Sequence, residues 1–271
     1  MVMLRDEADR RSIIKVLVGS QIHGLSVPTS DRDIEAVVIE PIHEAIGISK
    51  PFEELICESD EEDIKYVSLR KWCRLALGGN PNFLLLLFAP QDNILSMDAR
   101  GSQLRDLRAA FLSKVAIRAH LGYMQQQRKA VSSKSNSGRG KPRQDLITKY
   151  GYDTKFAMHL CRLGLQGCEL AEHGRITLPF KGEEQLALMN IRNGLCSLAE
   201  VMAFADGLED RMCKAWADSP LPMRPDKAAV EKWMLEMYVR SWAAERTSMD
   251  IREDAARFAA RESPSGVRAC E

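Results

Sequence analysis

The sequence lacks a net charge, a long apolar run and any cysteine pair of metal-binding spacing. Lys and Arg together number 38, as do Asp and Glu, so overall charge gives no argument for a nucleic-acid or membrane partner. The longest apolar run, 83–89, is far shorter than the roughly 20 residues of a membrane helix. The seven cysteines include no C-x-x-C pair, which argues against a zinc ribbon and favours reduced thiols. Charges near the N-terminus argue against a secretory signal. We therefore expect a soluble, cytoplasmic protein.

The chain divides into an α/β front part and a helical back part. Its 271 residues suit one or two domains. β-Branched apolar residues predict strands over 13–18, 33–39 and 64–67, and a short extended segment over 175–180. Helical spacing predicts helices over 69–77, 83–88, 114–130, 154–172, 184–206 and 227–245. We expect an α+β fold with three parts: a small mixed sheet with flanking helices over 1–100, a mainly helical domain over 101–248 and a charged tail over 249–271.

Two carboxylates stand at alternating positions at the start of the second predicted strand. Residues i and i+2 of a strand face the same side, so Asp31 and Asp33 should project together. Their mutual repulsion is costly unless a cation lies between them. Mg²⁺, with Mn²⁺ as an alternative, suits carboxylate oxygens combined with substrate phosphates and water. The spacing therefore predicts a metal site for phosphoryl transfer.

Gly19 and Ser20 follow the first predicted strand. Glycine allows the backbone to approach a phosphate closely, and the serine hydroxyl adds a hydrogen bond. A Gly-Ser pair alone is a common turn, and a D-x-D alone is often a solvated strand end. The combination of strand, Gly-Ser, loop, D-x-D and strand is far more specific and indicates a nucleotide site.

Residues 19–33 resemble the signature of the polymerase-beta nucleotidyltransferase superfamily. They are most similar to predicted nucleotidyltransferases associated with RNA repair, and the stretches 69–82, 151–160 and 174–177 extend the similarity. The resemblance covers roughly residues 13–205. It implies a nucleotidyltransferase sheet core completed by the helical domain, in which Gly19, Ser20 and Arg32 bind the nucleotide and Asp31 and Asp33 bind metal.

The superfamily uses a third carboxylate on a later strand, often to activate the acceptor hydroxyl. Asp63 is the candidate for this catalytic and metal-binding role, and Glu62 is the alternative because both lie in an acidic run over 53–63. A third interpretation leaves Asp63 as one more member of a solvated acidic loop.

One face of the predicted helix 154–172 carries potentially cationic residues three or four positions apart. Lys155, His159 and Arg162 are candidates to hold a triphosphate, and the alternative is a solvated amphipathic face. Tyr152 is a candidate to stack on a base, and Asp153 is a candidate helix cap. The resemblance at 151–160 favours the nucleotide-binding interpretation.

Three further features bear on the acceptor. Loop 128–143 carries six cations and no acid, so it is either a contact for an RNA acceptor or an ordinary solvated loop. His23 stands where the family commonly has an aromatic residue, and either contacts substrate or is a plain loop histidine. Leu84 and Leu85 occupy a run where relatives tend to have an acid, which bears on acceptor choice.

The expected reaction is transfer of a nucleoside monophosphate from a nucleoside triphosphate to an acceptor hydroxyl, with release of pyrophosphate. An RNA 3′ end is the favoured acceptor, and a protein hydroxyl or a small molecule is the alternative. A non-catalytic nucleotide-binding module is the competing class of function.

Overall fold

The computed structural model describes residues 3–28, 30–48, 50–59, 61–132 and 143–262, with side chains described as far as Arg246. Within these ranges the strands are β1 (Ser12–Leu17), β2 (Asp33–Val38), β3 (Glu54–Cys57), β4 (Asp63–Ser68) and β5 (Ile94–Met97). They form one sheet in the order β3-β4-β2-β1-β5. Strands β2 and β4 run parallel, whereas the other neighbouring strands are antiparallel. The fold is α+β with a mixed sheet, as expected.

Side chains of the central strands alternate between the two faces of the sheet, and each face packs into a different hydrophobic core. Val37 and Val67 join the main core, which extends into the helical part. Ile34, Ala36 and Tyr66 point the other way into a smaller core. The helices around the sheet are α1 (Arg5–Arg11), α2 (Gly19–Ile22), α3 (Ile42–Ile46), α4 (Leu69–Leu77), α5 (Pro81–Leu84), α6 (Ala99–Asp106) and α7 (Arg108–Phe111).

The helical part is built around one central helix. Its helices are α8 (Lys114–Ser132), α9 (Gln144–Tyr150), α10 (Thr154–His173), α11 (Gly182–Arg192), α12 (Leu198–Ala215) and α13 (Lys227–Glu262). The Asp153 side chain caps α10 by accepting from two backbone N–H groups, and Gly174 ends the helix with a φ of 64°. Helix α10 packs against α8, α11 and α12, which makes it the centre of the helical part.

The last helix ties the helical part back to the sheet. The Tyr238 hydroxyl donates to Glu40 Oε1 over 2.9 Å, and Trp242 Nε1 donates to the Glu40 carbonyl oxygen over 2.9 Å. Arg11 forms an ion pair with Glu245 further along α13. None of the helices in the described ranges has the length and apolar character needed to cross a membrane.

Several predicted elements need correction. The predicted helix 184–206 is two helices, because Gly194 takes a φ of 71° and Ser197 begins α12 with a capping box. The segment 175–180 contains no strand. Residues 83–87 are buried as predicted and Phe88 is half-buried, but the run comprises the end of α5 and a 3₁₀ turn, Leu85–Phe88.

The remaining differences lie at the sheet edges and in the tail. Strands β3 and β5 were not predicted: β3 lies within the acidic run, and both are four-residue edge strands. In the predicted tail, 249–271, the backbone of α13 continues to Glu262, and residues 263–271 lie outside the described ranges.

Candidate active site

A cavity of about 440 Å³ opens where β1 ends and where β2 and β4 begin. Residues of helices α10 and α11, of strand β4 and of helix α5 line it. The charged and polar side chains on its wall are Ser20, His23, Ser30, Asp31, Asp33, Glu35, Asp63, Lys65, Asn82, Lys155, His159, Arg162 and Arg192. Most of the residues predicted for nucleotide or metal binding therefore line the same cavity.

The Gly19 backbone is packed directly against the Asp33 carboxylate. A Cβ atom added at Gly19 would lie 2.1 Å from Asp33 Oδ2, and Gly19 has a φ of 62°. The Val18 N–H also donates to the Asp33 carbonyl oxygen over 2.8 Å. Glycine is therefore required at this position both by contact and by backbone conformation. Gly19 and Ser20 begin the short helix α2 rather than a simple turn.

Three acids meet on the sheet side of the cavity. The parallel register places Asp33 beside Asp63, and Asp31 lines the same cavity. Burial raises the pKa of Asp33, and the charges of Asp31 and Asp63 raise it further. Glu62, the alternative third acid, is absent from the cavity wall and lies within ion-pair range of Arg5 and Arg32. Geometry therefore favours Asp63 over Glu62.

The acids suit a hard cation as ligands without forming a complete site by themselves. Among the described residues, no three His, Cys, Asp or Glu side chains already stand in a metal-binding arrangement. Mg²⁺ commonly takes one or two protein carboxylates and completes its shell with water and substrate phosphates. The repulsion that raises the pKa of Asp33 is of the kind that a divalent cation would relieve. The donor chemistry therefore fits a metal brought together with a phosphate-bearing substrate.

Cations face these acids from α10 and α11. Burial lowers the pKa of Lys155, as do the nearby Arg143 and Arg192, whereas Asp31 and Asp33 act in the opposite direction. Arg192 donates to the Leu25 carbonyl oxygen over 2.7 Å and lines the cavity. Arg192 was not among the predicted site residues, because no motif surrounds it in the sequence.

His159 lines the cavity as a neutral side chain. Burial and the neighbouring cations lower its pKa to about 3. The predicted trio of potential cations is therefore reduced to Lys155 and Arg162, with Arg192 supplied by another helix. Neutral His159 remains able to hydrogen-bond a phosphate oxygen through a ring N–H.

Arg162 is a buried guanidinium without an acidic partner. Its side chain is 6% exposed, and it forms no ion pair with any described residue. Nη1 lies 2.7 Å from His23 Nε2 and 3.1 Å from Gln166 Oε1, while Nε has no partner in the described ranges. Burial lowers the pKa of Arg162 to about 10, so it remains charged at neutral pH. A buried, uncompensated cation on a cavity wall favours binding of an anion.

His23 is a buried part of the site rather than a plain loop histidine. Burial and the charge of Arg162 hold its pKa well below the usual range. The ring is therefore neutral, and Nε2 accepts a hydrogen bond from Arg162. His23 thus orients Arg162 and also lines the cavity.

A second pair of charged residues lies deeper along the same strands. Glu35 is buried and stands beside Lys65 in the β2–β4 register. Trp72 Nε1 donates to Glu35 Oε1 over 3.2 Å, and burial raises the pKa of Glu35 to about 7. Sequence reasoning missed Glu35, although it continues the alternation begun by Asp31 and Asp33.

Two predicted nucleotide-binding residues lie away from the cavity wall. Tyr152 is 4% exposed, and its hydroxyl donates to the Cys196 carbonyl oxygen over 2.7 Å, so its ring packs between helices instead of offering a stacking face. Arg32 is exposed, and its nearest acid is Glu62, at 3.4 Å. Neither residue lines the cavity.

Only the ends of the predicted basic loop 128–143 fall in the described ranges. Arg128 is paired with Asp206 over 2.7 Å and also lies near Glu209. Arg143 lies 3.6 Å from Asp153 and contributes to the positive field around Lys155. Lys134, Arg139 and Lys141 lie outside the described residues.

A family model described as the RNA repair pathway DNA polymerase beta family, RlaP, matches residues 3–203. The chain belongs to this family. The RlaP match includes all of the sheet and the cavity, and it ends inside α12. It places the protein among the polymerase-beta-type nucleotidyltransferases. No curated protein matches the chain as a relative.

Proposed function

We propose that this RlaP-family protein transfers a nucleoside monophosphate from a nucleoside triphosphate to an acceptor hydroxyl and releases pyrophosphate. The observation that supports this proposal is the placement of Asp33 beside Asp63, with the Gly19 backbone against Asp33 and three cations in the same cavity. Acids for a metal and cations for phosphates thus share one enclosed space.

The phosphates are assigned to the side of the cavity formed by β1, α10 and α11. Gly19 permits close approach of the backbone, and Ser20 offers a hydroxyl on the same wall. Lys155, Arg162 and Arg192 balance the negative charge of the triphosphate and of the departing pyrophosphate. Arg162 gains the anionic partner that it lacks in the free protein.

The acids are assigned to the reacting centre. Asp31, Asp33 and Asp63 would hold Mg²⁺ or Mn²⁺, which when bound supplies charge stabilisation at the α-phosphate and at the leaving oxygen. Asp63 accepts the proton of the attacking hydroxyl. The new bond joins that oxygen to the α-phosphorus, the bond to pyrophosphate breaks, and the electron pair leaves with pyrophosphate.

An RNA 3′ end is the proposed acceptor. The family description associates these proteins with RNA repair, and the cations of 128–143 offer contacts for a phosphate backbone. Binding of RNA through these cations should weaken steeply as salt concentration rises. A protein acceptor would be revealed by label transferred to protein instead of RNA.

The test is a transfer assay with the four labelled triphosphates against total RNA and total protein, with and without Mg²⁺ or Mn²⁺. The double variant Asp31→Asn with Asp33→Asn should abolish transfer. Asp63→Asn should reduce the rate by about a hundredfold or more, as expected for loss of a general base. The matched variant Glu62→Gln should leave the rate unchanged, because Glu62 does not line the cavity.

Two outcomes would contradict this assignment. Undiminished transfer by the double variant would remove the metal role of Asp31 and Asp33. Nucleotide binding that is indifferent to divalent cations, with no transfer to any acceptor, would instead support a non-catalytic nucleotide-binding module.

A further inference from the structure

Glu35 is a buried carboxyl group on the cavity wall that the proposed transfer step leaves without a role. Its Oε1 accepts the Trp72 indole N–H, which fixes the side chain in place. Its Oε2 has no hydrogen-bond or ion-pair partner in the part of the chain that the structure describes. A fixed carboxyl oxygen on the wall of a cavity is suited to accept a hydrogen bond from a ligand hydroxyl.

The order of the strands indicates which substrate Glu35 faces. The phosphate-holding turn follows β1, the acids Asp31 and Asp33 lie at the start of β2, and Asp63 begins β4 on the far side. In-line displacement places the attacking hydroxyl and the leaving pyrophosphate on opposite sides of the α-phosphorus. Because the cations of α10 and α11 hold the pyrophosphate, the acceptor approaches from the β4 side.

Glu35 lies on β2 between Val16 of β1 and Lys65 of β4, and Lys65 is two positions beyond Asp63 on the same face of β4. The hydrogen bond that Glu35 accepts comes from Trp72 on α4, the helix that follows β4. Asp63 and Glu35 are thus diagonal neighbours on adjacent strands, and both side chains line the cavity.

We propose that Glu35 binds a second hydroxyl of the acceptor, next to the one that attacks, and so selects acceptors that carry a vicinal diol. This inference rests on the proposed function, because it takes the attacking hydroxyl to lie at Asp63. A 3′-terminal ribose offers this chemistry through its 2′- and 3′-hydroxyls, as does a free nucleoside or another sugar. The hydroxyl side chain of serine, threonine or tyrosine lacks the second group, so Glu35 favours a sugar acceptor over a protein.

The test compares acceptors that differ only at the 2′ position. A 5′-fluorescent RNA ending in an ordinary ribose is compared with the same RNA ending in a 2′-deoxyribose, by anisotropy with the full-length protein. Adenosine and 2′-deoxyadenosine form a second arm, by calorimetry, that distinguishes an RNA end from a free sugar. Loss of this hydrogen bond leaves a buried carboxyl oxygen without a partner and should weaken binding of the deoxy form by about tenfold to a hundredfold.

Variants assign this preference to Glu35. Glu35→Leu removes both carboxyl oxygens and should bring the two acceptors to within about twofold of each other, since the discriminating bond is lost. Glu35→Gln keeps the size of the side chain and should show a reduced preference, because the Trp72 N–H takes its one amide oxygen and the amide nitrogen cannot accept the ligand's hydroxyl proton. Glu62→Gln is the control, because Glu62 does not line the cavity.

Folding of each variant is checked by chemical denaturation, and Glu35→Gln carries the test if Glu35→Leu does not fold. The inference is overturned if the wild type does not distinguish the acceptors in either arm, or if a folded Glu35 variant keeps the full preference. It is also overturned if Glu35→Gln weakens triphosphate binding instead of acceptor binding. Transfer without a ribose preference would refute this inference and leave the proposed transferase function intact.

Discussion

Gly19→Ala tests the contact on which the site geometry depends. An L-residue in the left-handed region costs roughly 1–2 kcal/mol, so the φ of 62° alone makes the substitution unfavourable. In addition, the new Cβ would lie 2.1 Å from Asp33 Oδ2, so the carboxylate or the turn must move. Displacement of a reacting group by about 1 Å costs on the order of a hundredfold in rate. We expect a modest loss of stability and a loss of transfer activity of about that size.

Gly182→Ala is the matched control. Gly182 has a φ of 58°, but a Cβ there would meet nothing within 4 Å. Both variants therefore carry the same backbone strain, and only Gly19→Ala disturbs Asp33. Urea denaturation measures the free energy of unfolding, and single-turnover transfer measures the chemical step. The reasoning is refuted if Gly19→Ala retains wild-type transfer, or if Gly182→Ala loses as much activity as Gly19→Ala.

Three further predictions concern buried polar groups. Burial lowers the pKa of His120 to about 4, so between pH 6.5 and pH 4 the unfolded chain binds a proton that the folded protein does not. This difference lowers the free energy of unfolding by up to about 3 kcal/mol, and His120→Gln should remove that loss, measured by denaturation across pH. Arg162→Met should weaken triphosphate binding by about tenfold or more, because it removes a buried positive charge from the cavity wall. The free energy of unfolding should change by no more than about 2 kcal/mol, since removal of an uncompensated buried charge offsets loss of the hydrogen bonds to His23 and Gln166; a larger drop in stability with unchanged affinity, seen by denaturation and calorimetry, would contradict this. Tyr238→Phe should cost about 1–3 kcal/mol, because the buried Glu40 carboxyl loses its donor, and an unchanged urea midpoint would show that water replaces the hydroxyl.

Much of the fold could be predicted from the sequence alone. Clusters of β-branched residues predicted β1, β2 and β4, because such residues favour strands even where charged residues interrupt them. The short edge strands β3 and β5 were not predicted, because pairing with a neighbouring strand stabilises them more than their composition does. The two-helix structure of 182–215 was also missed, although Gly194 and Ser197 mark the break.

The candidate site was predictable where its residues are close in sequence. Gly19, Ser20, Asp31 and Asp33 lie within one short segment, so strand geometry alone suggested a phosphate turn beside a pair of acids. Asp63 was predicted only as the better of two neighbouring acids. The parallel register favours Asp63, because it places Asp63 beside Asp33, whereas Glu62 does not line the cavity.

The tertiary structure alone decided the electrostatics and the two sides of the cavity. Helical spacing put Lys155, His159 and Arg162 on one face, but burial makes His159 neutral and leaves Arg162 charged without an acid. Arg192 joined the site from a helix that carries no recognisable motif, and Glu35 joined it from β2, two positions beyond the predicted Asp33. The physical reason is that side-chain type and periodicity are local properties of the chain, whereas desolvation and strand register depend on which distant segments pack together.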